Sequence, residues 1–240
     1  MKFIYLFFKI KNSKGLFGMS IIKIENMSFG YTSSHKTLTN INLEVNEGEF
    51  IAIVGENGSG KSSLIKCILG LNKCQEGKII VKDRIGYLPQ ITEIQNNFPA
   101  TIEEIVLSGT IPNNVRKIFY TKEDKKKAEE IMKRLNLYDM RKNCFYELSG
   151  GQRQRVLIAR ALCSTNKIIL LDEPVNGLDP KIVTGIYEML DELNKNKGLT
   201  IIMVSHDVDR CIKYCSRVIE IESGNIIKDV EATNYKKGDA

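Results

Sequence analysis

One segment constrains this chain more than any other. An apolar run, Phe50-Ile51-Ala52-Ile53-Val54, leads into Gly55-Glu56-Asn57-Gly58-Ser59-Gly60-Lys61-Ser62, and Lys61 to Leu71 then places Leu64, Ile65, Ile68 and Leu69 on one helical face. The eight-residue stretch fits G-x-x-x-x-G-K-[ST], a loop whose backbone cradles phosphate. Gly55, Gly58 and Gly60 let the backbone approach an anion closely and adopt positive φ. Successive amides and the helix N-terminus then face the anion. Lys61 is placed to bridge β- and γ-phosphates, and the Ser62 hydroxyl to ligate Mg²⁺. A purely structural glycine turn would not need the lysine, the serine and the flanking strand and helix together.

The rest of the chain divides around that segment. Ile21 to Ser28 and Leu38 to Val45 alternate as half-buried strands do. Lys78 to Val81 and Ile85 to Leu88 read as short strands. From Phe98 to Leu162 the pattern is helical. Thr101-Ile102-Glu103-Glu104 fits a capping box, and Thr121 to Leu135 carries Ala128, Ile131, Met132 and Leu135 at helical spacing over a solvated charged face. Apolar strands return at Ile168 to Leu171, Thr200 to Val204 and Arg217 to Ile221, with a helix between the first two. The expected fold is a P-loop α/β core with a mostly parallel sheet. It carries an N-terminal antiparallel β subdomain and an inserted α-helical subdomain of about residues 91–160.

Asp172 and Glu173 end the strand Ile168 to Leu171. Ligands of open α/β sheets bind at the C-terminal ends of the strands, so two acids there belong beside the phosphate loop. Asp172 is expected to hold Mg²⁺, and Glu173 to polarise an attacking water. Two solvated acids at a strand end are the plain alternative.

Composition narrows the class. The chain has 240 residues, 42% of them hydrophobic and 27% charged, as ordinary globular proteins do. A net charge of +6 fits a solvated basic surface first, with an anionic membrane nearby or nucleic acid as other readings. Cys67, Cys74, Cys144, Cys163, Cys211 and Cys215 form no zinc-ligand spacing and read as reduced thiols. The two histidines, His35 and His206, exclude a His-rich metal site. No stretch approaches the ~20 apolar residues of a membrane helix. Phe3 to Phe8 is apolar but closed by Lys9 and Lys11, and residues 1–18 read as a dispensable extension or an upstream start ahead of Met19.

With these motifs in hand, the chain from about residue 21 to about residue 230 resembles the ATP-binding subunit of an ABC transporter. Leu148-Ser149-Gly150-Gly151-Gln152 matches the family signature without a substitution, and Gln90 in Tyr87-Leu88-Pro89-Gln90 matches its Q-loop. Gly177-Leu178-Asp179-Pro180 resembles its D-loop, His206 its switch histidine, and Tyr31 the aromatic that meets adenine. The resemblance implies an ATPase using ATP and Mg²⁺. ATP would contact Tyr31, Gly55, Glu56, Asn57, Gly58, Ser59, Gly60, Lys61, Ser62 and Ser63. The metal would be held by Ser62, Gln90 and Asp172, and Glu173, His206 and Gln90 would be catalytic. Ser149, Gly150 and Gly151 would open a helix from Gln152 to Leu162 and, with Gln152, contact the γ-phosphate held by a second subunit. Residues 19–240 would form the ATP-binding domain, peripheral at the cytoplasmic face of the membrane, with a membrane permease as partner and an extracytoplasmic binding protein acting indirectly. Nucleic acid is not an expected partner.

Phe98 to Gly109 is similar to the segment after the Q-loop in ATPases of zinc and manganese importers, which implies metal uptake. Another transported substrate stays open, as does a non-transport ABC ATPase. The latter fits less well, since this chain has one cassette and a compact insertion rather than two fused cassettes or a long coiled coil.

Overall fold

The structure, a computed structural model, describes residues 20–32, 35–90, 99–111 and 119–236. Residues 1–18 and Phe98, both singled out by sequence, lie outside that set.

The first three strands are β1 (Ser20–Phe29), β2 (Leu38–Asn46) and β3 (Phe50–Val54), followed by α1 (Lys61–Ile68), β4 (Glu76–Val81) and β5 (Ile85–Leu88). Next come α2 (Ile102–Ser108), α3 (Lys122–Arg134) and α4 (Gly150–Cys163). The chain then returns to β6 (Ile168–Asp172), α5 (Pro180–Lys197), β7 (Thr200–Val204), α6 (Val208–Cys211), β8 (Arg217–Glu222) and β9 (Asn225–Glu231). An antiparallel sheet has the order β2-β1-β4, and a six-stranded sheet the order β5-β6-β7-β3-β8-β9. Every pairing in the second sheet is parallel except β8 with β9.

Both faces of the large sheet are covered, which explains its continuous apolar runs. Phe50, Ala52, Ile169, Leu171, Ile201 and Met203 face a cluster that includes residues of α2, α3, α4 and α5. Their neighbours Ile51, Ile53, Ile168, Leu170, Ile202 and Val204 face a second cluster with α1, β1 and β2. Each such Ile or Leu, fully buried, contributes about 1.5–3 kcal/mol.

Local chemistry sets the helix starts. Thr101 Oγ1 accepts from the Glu104 amide at 3.3 Å while Glu104 Oε2 accepts from the Thr101 amide at 2.8 Å, so the expected capping box forms. Thr121 and Asp124 repeat it at α3. The signature helix starts two residues before the Gln152 that the sequence suggests, because Ser149 is its N-cap and Gly150 its first residue. α1 stops at Ile68, short of Leu71, as the chain turns at Gly70 with φ 70. β9 has no counterpart in the sequence expectations. All six cysteines are free thiols.

Candidate functional site

Register aligns four strand ends. Leu88 of β5 lies beside Leu171 of β6, Asp172 beside Val204 of β7, and Val204 beside Ile53 of β3. Gln90, Glu173, His206 and the glycine loop all follow directly from this row, so one sheet edge gathers residues spread over more than a hundred positions. Ser205 N donates to Ile53 O and Glu173 N to Val204 O, both at 3.2 Å, carrying the row past the strand ends.

The glycine loop takes the shape its residues permit. Gly55, Gly58 and Gly60 have φ 141, 81 and 109. α1 starts at Lys61 with no side-chain cap, its N-cap being Gly60. Its first amides are therefore not satisfied by a neighbouring side chain, as an anion cradle requires. Lys61 is buried, its Nζ donating to Gly55 O at 2.9 Å and Glu56 O at 2.6 Å. Burial lowers its pKa, against the attraction of Glu173 and Asp172. Tyr31, 65% exposed, shares a hydrogen bond of 3.3 Å with Ser63 of α1 and meets Phe29 edge-on at 5.0 Å. An aromatic face thus stands beside the phosphate-loop helix, open to a flat ligand.

Glu173 sits in the left-handed region with φ 50 and holds three donors. Gln90 Nε2 donates to Oε2 at 2.9 Å, Asn176 Nδ2 to the same oxygen at 3.0 Å, and His206 Nε2 to Oε1 at 2.6 Å. A carboxylate only accepts, so the imidazole proton lies on Nε2. The structure therefore brings Gln90, Glu173 and His206 together. Asn176 was not singled out from sequence; an amide three residues after a strand-end acid was its only signal.

Asp172 Oδ1 is buried with no hydrogen-bond partner among the described residues. Burial first, then Glu173, raises its pKa, while Lys66, Lys61 and His206 oppose the shift. An orphaned, desolvated carboxylate oxygen beside a phosphate cradle suits a hard divalent cation. Mg²⁺ fits this donor chemistry, with Asp172, the Ser62 hydroxyl and the Gln90 amide oxygen all of the oxygen type it prefers. Among the described residues no group of three or more His, Cys, Asp or Glu is arranged to hold a metal, and no helix is long and apolar enough to cross a membrane.

The signature has its own hydrogen bonds. Ser149 Oγ accepts from the Gln152 amide at 3.3 Å, and Gln152 Oε1 from the Ser149 amide at 2.9 Å. Ser149 and Gly150 are exposed, while Gly151 is buried against Ile182 of α5, where a Cβ would lie 2.6 Å from Cγ2. Arg153 donates to Tyr146 O at 2.7 Å, bracing the turn ahead of the signature. Among the described residues no hydrogen bond joins Ser149 to Gln152 with the glycine loop. Asp179 caps α5, accepting from the Lys181 amide at 2.8 Å.

The chain is similar to known proteins in sequence and in fold. A family model described as ABC transporter matches residues 38–176. The chain is 38% identical to a zinc uptake system ATP-binding protein of Listeria innocua, over 90% of this chain and 88% of that one. It is 34% identical to a phosphonates import ATP-binding protein of Lactococcus lactis, over 87% and 92%. Its fold matches the dimeric structure of a bacterial ABC transporter cassette with a TM-score of 0.74 and 32% identity, covering 89% of this chain and all of that one. The chain belongs to the ABC transporter family, as one of its ATP-binding subunits.

Proposed function

We propose that this chain hydrolyses ATP between two copies of itself and so powers uptake of a divalent metal ion, zinc or manganese, through a separate membrane permease. The observation that carries the ATPase reading is the Glu173 carboxylate, held by Gln90, Asn176 and His206 at the same sheet edge that begins the phosphate loop.

The steps follow from the residues. Tyr31 offers its ring to adenine. Lys61 exchanges the carbonyls of Gly55 and Glu56 for β- and γ-phosphate oxygens, which are better partners for an ammonium. Glu56, Asn57 and Ser59 line the loop, and the amides of Gly58, Gly60, Ser62 and Ser63 face the phosphates. Ser62, Asp172 and Gln90 would hold Mg²⁺, which supplies charge neutralisation on the phosphates when bound. Glu173 takes a proton from the attacking water, and His206 keeps the carboxylate aimed. ATP and water leave as ADP and phosphate. Ser149, Gly150, Gly151 and Gln152 of the second copy complete the site with a helix N-terminus turned to the γ-phosphate. Asp179 fixes the start of α5 beside that signature.

The permease would dock on the α2 to α4 layer, placing the chain at the cytoplasmic face of the membrane. The chain itself binds no cargo; an extracytoplasmic binding protein would select it. Support for metal as cargo is the likeness of the segment ending in α2 to that of zinc and manganese importers, together with the zinc-uptake relative. The phosphonate-import relative favours a second reading, an anionic cargo. Growth of a deletion strain under chelation separates them. Metal uptake predicts a defect repaired by Zn²⁺ or Mn²⁺; a strain that grows normally under chelation yet fails on phosphonate as sole phosphorus source would overturn it.

A further inference from the structure

The turn joining β8 to β9 touches the glycine loop through backbone alone. Gly224 N donates to Ser59 O at 3.0 Å, and Gly224 O accepts from Thr39 N at 2.9 Å, so one residue bonds the loop on one side and β2 on the other. Ser223 and Gly224 have φ 45 and 79, the two successive positive values of a tight hairpin turn. A Cβ on Gly224 would stand 2.3 Å from Thr37 O, a backbone atom that cannot swing aside. One end of the loop closes on β8 just ahead of this turn, and the other on the Thr37–Leu38 backbone that Gly224 also meets. Ile221 O lies 2.1 Å from where a Gly55 Cβ would be, and Thr37 O lies 3.2 Å from that of Gly60. Thr37 N donates in turn to Phe29 O at 2.7 Å, and Phe29 packs on Tyr31.

We propose that the Ser223–Gly224 turn is a positioning element for nucleotide binding. It holds the glycine loop in the shape that receives a triphosphate and ties that loop to the sheet carrying Tyr31. The inference rests on the ATP-binding reading above. A loop fixed before binding loses less freedom on binding, so the brace acts on affinity rather than on the chemical step. Linkage is reciprocal: if the brace favours ATP, ATP must stabilise the brace.

The test uses the full chain and compares wild type with Gly224→Ala and Gly198→Ala. Gly198 has φ 64 and nothing within 4 Å of where a Cβ would stand, so its variant carries backbone strain without touching the loop. Gly224→Ala should raise KM for ATP roughly tenfold or more with kcat within about twofold, while Gly198→Ala changes both less than about twofold. A folded Gly224→Ala protein with wild-type ATP affinity overturns the proposal, as does an equal loss in Gly198→Ala. Hydrogen exchange on the wild-type chain decides the matter even if Gly224→Ala does not fold. Saturating MgATP should slow exchange of the Gly224 and Thr39 amides about tenfold; unchanged exchange there, with loop amides protected, overturns the brace. A wild-type chain that binds no MgATP would instead sink the ATP-binding reading itself.

Discussion

Two helix N-termini in this molecule look alike in sequence and differ in construction. α1 follows Gly58-Ser59-Gly60, and α4 follows Ser149 and opens with Gly150-Gly151. The first has a left-handed glycine at its N-cap and no side-chain cap. The second is closed by a complete capping box between Ser149 and Gln152. An uncapped start leaves amides for an anion, whereas a capped start is stable by itself and needs no ligand to form. The first is also walled in, with Ser59, Gly60 and Lys61 buried, while Ser149 and Gly150 are exposed. One end is half of a site already assembled in this chain. The other is a finished surface that, in the proposed dimer, a second copy would present to it.

The sharpest way to strain that comparison is at Glu173, which belongs wholly to the first half. Glu173→Gln should lower ATP turnover by about 10²–10⁴-fold, the usual worth of a general base, with ATP affinity retained. Steady-state phosphate release and nucleotide titration check both; near wild-type turnover would remove Glu173 from its role.

The next test separates the halves by complementation. Lys61→Ala disables the cradle, and Gly150→Asp sets a carboxylate where the γ-phosphate would meet the signature. An Asp in the first turn suits a helix, so folding should survive. Each variant alone should lose at least ~10²-fold in turnover. An equal mixture places one intact site in half of the dimers and should recover roughly a quarter of wild-type activity, given a two-fold symmetric pair. A mixture as inactive as its components would mean the signature acts within its own chain.

A smaller effect distinguishes capping from function. Ser149→Ala and Thr121→Ala each remove one capping hydroxyl, so each should cost about 1 kcal/mol in denaturant unfolding. Only Ser149→Ala should also lower ATP turnover. Equal turnover in both variants would reduce the Ser149 hydroxyl to a cap.

The parts legible in sequence are those where burial or backbone conformation leaves one choice. β3, β6 and β7 are fully buried on both faces, and their short apolar runs, rich in β-branched residues, read as buried strands. The glycines at 55, 58 and 60 are needed for positive φ, and the Thr101 box is a local hydrogen-bond pattern. β9 is not legible in the sequence because it is an edge strand with no fully buried residue, defined by its pairing with β8. The Ser223-Gly224 dipeptide was its available signal. α4 starts ahead of Gln152 because the Ser149 cap carries Gly150 and Gly151, poor helix formers, into the first turn. In the site, residue types were legible but partners were not. Asn176 reaches the Glu173 carboxylate locally, three residues on, but nothing local predicts that Gln90 and His206 share it, since strand register across 116 positions brings those two together.

The central claim is that ATP joins two copies through these two unlike helix ends. Light scattering of the Glu173→Gln chain at saturating ATP and Mg²⁺ tests it most directly. A particle of twice the 27.2 kDa chain mass is expected, reverting to the single chain when ATP is replaced by ADP. A Glu173→Gln chain that binds ATP fully and still scatters as 27.2 kDa would contradict it.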